Sequence, residues 1–360
     1  MGFSPNALKV ARFRGQLNKK ELAKLIGVQP RAVTGYESGE YAPADEVIEK
    51  ISASTGFPIS FFSREVELPE NITASFRSLA RMTERKKNSA LASASIAYEL
   101  CEWVDERMNL PVAQLPDLRG EEPTVAASIL RSSWKLGSRP ISNMIHLLES
   151  KGVRVFSLDE TNQEVDAFSV WKGTTPFIFL NTQKSSERSR FDAAHELGHL
   201  VLHQHIECTG KSAESEADKF ASAFLMPRDA LLSARKPYGL EEIISLKIRW
   251  KVSAVAMLYA LRHNGVLTQW DYDKLIKLAS IKGWRKAEPR EMRRETSALW
   301  TKVQKTLRQN GLSIFDACID RALPHDEVSK ILFRLTTVMI SGKGQSSNRA
   351  RNSNHLRIIK

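Results

Sequence analysis

The stretch from Arg190 to His203, R-F-D-A-A-H-E-L-G-H-L-V-L-H, constrains this chain more than any other. His195 and His199 are four residues apart, one turn above each other on a helix, so both imidazoles can reach one metal ion from the same face. Glu196 then points to the adjoining side, where a carboxylate can take a proton from a water without being a ligand itself. Phe191, Ala194, Leu197, Leu200, Val201 and Leu202 surround these groups, which describes a buried helix and not a solvated charged face. Gly198 leaves room for a close backbone approach or for a substrate.

A catalytic metal of this kind needs a third protein ligand and one open position. The stretch Glu214-Ser215-Glu216-Ala217-Asp218, continuing to Phe224-Leu225-Met226-Pro227, reads as a second helix stopped by Pro227. Two glutamates compete for the third position. Glu214 is preferred, because Asp218 lies one turn away and can hydrogen-bond a ligand histidine; Glu216 is the alternative. Cys208 is less favoured, since catalytic sites with a histidine pair more often complete the set with a carboxylate. For an oxyanion helper the candidates are His203, His205 and Tyr238, and His203, on the apolar helix, reads as structural.

Ahead of the metal helix the hydrophobic period changes to two. Val153–Leu158, Ala167–Trp171 and Pro176–Asn181 read as strands of a small sheet whose edge could hold an extended peptide by strand addition. At 360 residues the chain has room for about two or three domains. No window is apolar enough for a membrane span, the N-terminus is not built like a signal peptide, and three widely spaced cysteines argue against a disulfide framework. The expected location is the cytoplasm, with no membrane partner. The net charge of +12 points to a polyanion, yet residues 282–360 alone hold 17 Lys and Arg against 7 Asp and Glu.

Residues 5–62 read as a run of short helices: Pro5 opens one that ends at Gly15, Leu17–Val28 forms another closed by Gly27, and Gln29–Gly39 a third with Pro30 in its first turn. Two short helices joined by a glycine turn form the unit that lays a helix into the major groove of DNA. Through L-x-x-x-E-L-A-x-x-x-G-V, then Y-E-x-G, then Pro43 and the closing Gly56–Phe62, the stretch Leu8–Phe62 resembles the lambda-repressor-like (Xre-type) helix-turn-helix family. The resemblance implies double-stranded DNA as partner, Gln29, Arg31 and Thr34 facing base edges, Lys19 facing a phosphate, and Leu22, Ala23, Val33 and Tyr36 in the core. It also implies pairing of two copies on two half-sites. Two departures weaken base readout: Lys19 stands where the family usually has a Gln, and Gly35 takes a recognition-helix position expected to be exposed.

Pro176–Asn181, then S-x-x-R-x-R-F-x-x-A-H-E-L-G-H-L-x-L-H, then E-x-E-A-D-x-F-A-x-x-x-L-M-P, resemble the ImmA/IrrE family of zinc metallopeptidases. Similarity to the family's helix-turn-helix fusions extends to Phe76-Arg77-Ser78 and Trp250–Ala254. The resemblance implies a gluzincin-like domain with zinc on His195, His199 and Glu214, Asp218 behind the ligands, and Glu196 as general base. The implied substrate is a specific repressor or regulatory protein. The expected fold is mainly α with a small β-sheet: an all-α helix-turn-helix domain over 1–65, a helical connector with its own packing over 66–150, and an α+β peptidase domain over 151–280. A basic helical region over 281–340, with its first charge run on a solvated helix, and a disordered tail over 341–360 complete the chain. Two other functions fit the same residues: a transcription regulator whose peptidase fold is a non-catalytic sensor or dimerisation module, and an antitoxin-like regulator that binds a toxin through residues 63–150.

Overall fold

Three short strands divide the apolar interior of the protein into two cores. In the computed structural model, which describes residues 2–69, 83–158, 167–204, 211–332 and 336, β1 (Arg154–Ser157), β2 (Ala167–Lys172) and β3 (Thr175–Leu180) form a sheet of order β1-β3-β2. β1 runs parallel to β3, and β2 and β3 form an antiparallel hairpin. Alternation along each strand sorts the side chains. Phe156, Phe168, Val170, Phe177 and Phe179 face the first core, while Val155, Ala167, Ile178 and Leu180 face the second. The first face is a stack of aromatic rings, with Phe168 and Phe179 centroids 4.5 Å apart and Phe156 and Phe179 5.6 Å apart.

The first core holds the N-terminal domain. Helix α1 (Pro5–Arg14) starts with Ser4 accepting the Ala7 N–H and with proline in its first turn. Helix α2 (Lys19–Ile26) opens on a capping box in which Asn18 and Glu21 bond each other's backbone amides at 2.8 and 2.7 Å. It ends at Gly27, whose φ of 73° is the left-handed conformation that glycine adopts without strain. Helices α3 (Pro30–Ser38) and α4 (Asp45–Thr55) complete the unit, with Leu22, Ala23, Val33 and Tyr36 in the core. The expectation for Gly35 needs correcting. It is buried, and a Cβ there would lie 2.4 Å from the Tyr41 ring, so the glycine makes room for Tyr41 and is not an empty position on the DNA face.

Helix α5 (Glu84–Asp105) joins this domain to the sheet. It is buried along most of its length, and its Ala and Ser run lets helices approach from several sides. Helix α1 packs on it, Arg14 donates to Ser93 Oγ at 2.8 Å and pairs with Glu327, and Tyr98 meets Phe177 edge-on at 4.7 Å. The span 66–150 is therefore not a connector with its own packing. Helix α5 belongs to the first core, and α6 (Pro123–Ser133) and α7 (Met144–Ser150) belong to the second.

The second core is completed by α8 (Ser186–Leu202), α9 (Lys211–Leu225), α10 (Arg228–Leu232), α11 (Leu240–Trp250), α12 (Ala254–His263) and α13 (Gln269–Ile281). Trp250 and Val252 point into it, so the turn between α11 and α12 packs on the metal side of the sheet. Residues 282–297 are not the solvated helix expected from their charge. They run back as a strap because their acids find buried partners: Glu288 lies 3.0 Å from Lys247, and Glu295 pairs with Arg190. Arg285, Lys286, Arg290 and Arg293 remain exposed on this strap. Helices α14 (Leu299–Gln309), α15 (Ile314–Asp320) and α16 (His325–Ile331) then return to the first core. Phe76-Arg77-Ser78 and the expected tail over 341–360 lie outside the described residues. Among those described, no helix is long and apolar enough to cross a membrane.

Glu149, at the end of α7, accepts the Ala298 and Leu299 amides at 2.9 Å each and so caps α14. Burial pushes its carboxyl up to about 7, against these bonds and that from Ser297. Because the folded pKa is raised above the unfolded value, the folded state holds the proton more tightly. Its stabilising contribution is complete below the unfolded pKa and is lost as pH rises through the folded one. Thermal melting of Glu149→Gln protein between about pH 5 and 8 is therefore expected to depend less on pH than that of the parent chain, a difference read directly from paired melting curves.

Candidate metal centre

Helix α8 carries the site, and its placement follows from its ends and its glycine. Ser185 caps it by accepting the Arg188 N–H at 3.3 Å, and buried Glu187 in its first turn is held by Lys247 at 2.7 Å. At Gly198 a Cβ would stand 3.0 Å from Phe220 Cδ1 and 3.3 Å from Ala217 Cα. The glycine thus serves the approach of α9 and not a substrate. That approach brings Glu214 to the two histidines.

The Nε2 atoms of His195 and His199 are 3.1 Å apart, and the Glu214 carboxylate lies 3.6 Å from the first and 3.5 Å from the second. All three residues are at most 9% exposed. Four ligands held tetrahedrally at about 2.0–2.1 Å from a zinc ion stand roughly 3.3 Å from one another, so these spacings fit one ion without rearrangement. Two imidazoles and one carboxylate are also the donor set of a catalytic zinc with an open position.

Charge at the site points the same way. Burial alone would raise the Glu214 carboxyl, but hydrogen bonds from His195 and His199 hold it well below the usual carboxylate range. Burial would lower His195, yet its bonds to Asp218 and Glu214 push it up to about 10. His199 is kept down at about 4, first by burial. An ionised, buried Glu214 thus demands one positive charge between the rings, which a proton on His195 or a metal cation can supply.

Around this group, Asp218 Oδ1 lies 2.9 Å from His195 Nδ1. Glu216, the alternative third ligand, turns away: its carboxylate lies 3.0 Å from His203 Nε2 and accepts from Ser212 at 2.9 Å. His203 has both ring nitrogens engaged, so it has none left for an oxyanion. Tyr238 is 66% exposed and joins none of these contacts, and His205 and Cys208 lie outside the described residues.

Glu196 is 1% exposed and accepts from Ser169 Oγ at 2.7 Å. Burial pushes its carboxyl up to about 7, opposed by His195 and by the Ser169 bond. Sequence reasoning passed over Ser169. The signal was there in A-F-S-V-W, where alternation sets a polar residue on the strand face opposite Phe168 and Val170. Beside the site, a groove of about 940 Å³ runs between α6, α8, α9 and α12, lined among others by Ile129, Phe191, Asp218, Met226 and Tyr259.

On the N-terminal domain, Gln29, Arg31 and Thr34 are exposed along α3. Lys19 is half-withdrawn, its ammonium 3.4 Å from Glu37 and 3.5 Å from Thr34 Oγ1. Buried Arg12 holds the same Glu37 at 2.5 and 3.0 Å, fixing α3 against α1.

Residues 148–262 match a peptidase family model described as the IrrE N-terminal-like domain, and residues 10–62 match a helix-turn-helix model. No curated protein matches the chain. The chain is thus a fusion of a helix-turn-helix domain with an IrrE-like, metallopeptidase-type domain. Because α8 and α9 touch through Gly198, a Gly198→Val substitution is expected to destabilise the fold by about 1–3 kcal/mol through overpacking. Urea denaturation checks this, and an unchanged midpoint would show that the helices do not need the contact.

Proposed function

We propose that this chain is a DNA-bound regulator whose zinc-dependent endopeptidase domain cleaves a specific repressor or regulatory protein. The observation that carries the reading is the convergence of His195, His199 and Glu214 on one buried point with Glu196 beside it. In this reading those three residues hold the ion. When bound, the zinc polarises the water and the scissile carbonyl. The chain's own residues do the rest. Glu196, held by Ser169, takes the proton of the attacking water and returns it to the leaving amine.

Two features give a peptide somewhere to lie. Strand β2 is at the edge of the sheet and has no strand on its outer side among the described residues, so an extended segment can pair with it. The groove beside Asp218 can then take side chains. Because α1, α5 and the sheet share one core, the peptidase moves with the DNA-reading helix. A target bound to neighbouring DNA would meet it at high effective concentration.

A Glu196→Gln variant is expected to keep its metal and to cleave a co-encoded repressor about 100- to 10,000-fold more slowly. Metal analysis and timed cleavage of that repressor on its operator measure both. Cleavage by the variant at the parent rate would sink the peptidase reading, and a metal-loaded parent that cleaves nothing would favour a sensor. For the DNA face, Arg31→Ala is expected to cost about 1–3 kcal/mol of specific binding, read as a weaker operator complex in titrations at fixed salt. Equal affinity of parent and variant would remove α3 from base readout.

A further inference from the structure

We propose that His203 and Glu216 are positioning residues for the metal centre: a hydrogen-bonded chain from Glu216 through His203 holds His199 in the one tautomer that can bind a metal. The inference rests on the ligand set proposed above and adds two residues that set how tightly the ion is held. His199 Nδ1 lies 2.9 Å from His203 Nδ1, His203 Nε2 lies 3.0 Å from Glu216 Oε2, and Ser212 donates to the other Glu216 oxygen at 2.9 Å.

With His203 neutral, the direction of every proton in this chain follows from chemistry. An ionised carboxylate only accepts, so His203 must donate from Nε2. A neutral His203 then offers a bare Nδ1, to which His199 must donate from its own Nδ1. That leaves His199 Nε2 without a proton, and Nε2 is the atom facing Glu214 and His195. The other ring is held more directly, since Asp218 accepts from His195 Nδ1 and so turns Nε2 toward the site. Both imidazoles are thereby aimed before an ion arrives.

The placement of the three histidines fits such a division of labour. His195, His199 and His203 follow one another at four-residue spacing, and the rings of the last two are 5.1 Å apart. The third nevertheless points its far nitrogen at Glu216 and not at the site of the first two. His203 is 3% exposed, so loss of its acceptor would strand a buried N–H of His199 with no water to replace it. Glu216 anchors the chain from a partly exposed position on α9, the helix that also carries Glu214.

The test uses the full-length protein and zinc or cobalt(II) alone, with affinity measured by competition against a chromophoric chelator and site geometry by the cobalt visible spectrum. His203→Leu and Glu216→Leu are expected to bind about 10- to 100-fold more weakly, with altered cobalt spectra. His203→Asn, whose side-chain oxygen can accept where Nδ1 did, is expected to recover most of the affinity. A packing role alone would not be rescued by the polar variant. If His203→Leu fails to fold, Glu216→Leu and His203→Asn decide, the first expected to bind more weakly than the second. Glu214→Ala separates the two readings. Full affinity in Glu214→Ala would overturn the ligand set. Loss in Glu214→Ala with parent-like affinity and spectra in the His203 and Glu216 variants would overturn the chain alone.

Discussion

A carboxylate taken out of water between two imidazoles is the interaction on which the second half of this structure turns. Removing such a charge from solvent costs several kcal/mol even after relaxation, and only a nearby positive charge and hydrogen bonds offset that cost. Glu214 is placed so that the offset must come from between His195 and His199, where a cation fits. The neighbouring groups make sense as servants of that arrangement. Asp218 and His203 hydrogen-bond the Nδ1 atoms of the two rings, Gly198 lets α9 come close, and Lys247 with Glu187 and Glu288 locks the start of α8 against the returning strap.

The sheet does a different task. Its three described strands are short and apolar on both sides, and it persists because both of its faces are covered. Alternation gives its phenylalanines to the core shared with the N-terminal helices and its aliphatic side chains to the core of α8. Ser169 is the one polar side chain on β2 that alternation delivers to Glu196. A strand that slipped by one residue would exchange the two faces and withdraw that hydroxyl, so the register that builds the cores also builds the site.

Much of the site was legible because its chemistry follows helical spacing. Four-residue steps bring His195 under His199 and Glu214 under Asp218, and apolar neighbours mark both helices as buried. For Ser169 alternation marked only a polar residue on the face opposite Phe168 and Val170; its role was hidden, since a lone serine in an apolar strand belongs to no motif and its partner lies 27 residues on. The packing of α5 was hidden for another reason. A helix buried on all sides shows no apolar stripe, and its Ala and Ser run reads as a neutral connector. Gly35 was misread because its neighbour Tyr41 arrives from beyond the turn at Gly39. The strap's charges misled because Glu295 finds Arg190 about a hundred residues away in sequence, a pairing that no local window contains.

The excess of positive charge sharpens how the two halves work together. Most of it lies beyond residue 281, while Gln29, Arg31 and Thr34 stand exposed near the other end of the chain. On the strap Glu288 and Glu295 turn inward to Lys247 and Arg190, while Arg285, Lys286, Arg290, Glu291 and Arg293 face solvent. Inward pairing of Glu288 and Glu295 thus leaves an excess of positive charge on the exposed side of the strap, next to α8. Helix α3 is held to α1 through Arg12 and Glu37, α1 and α5 share a core with the sheet, and the sheet's Ser169 holds Glu196.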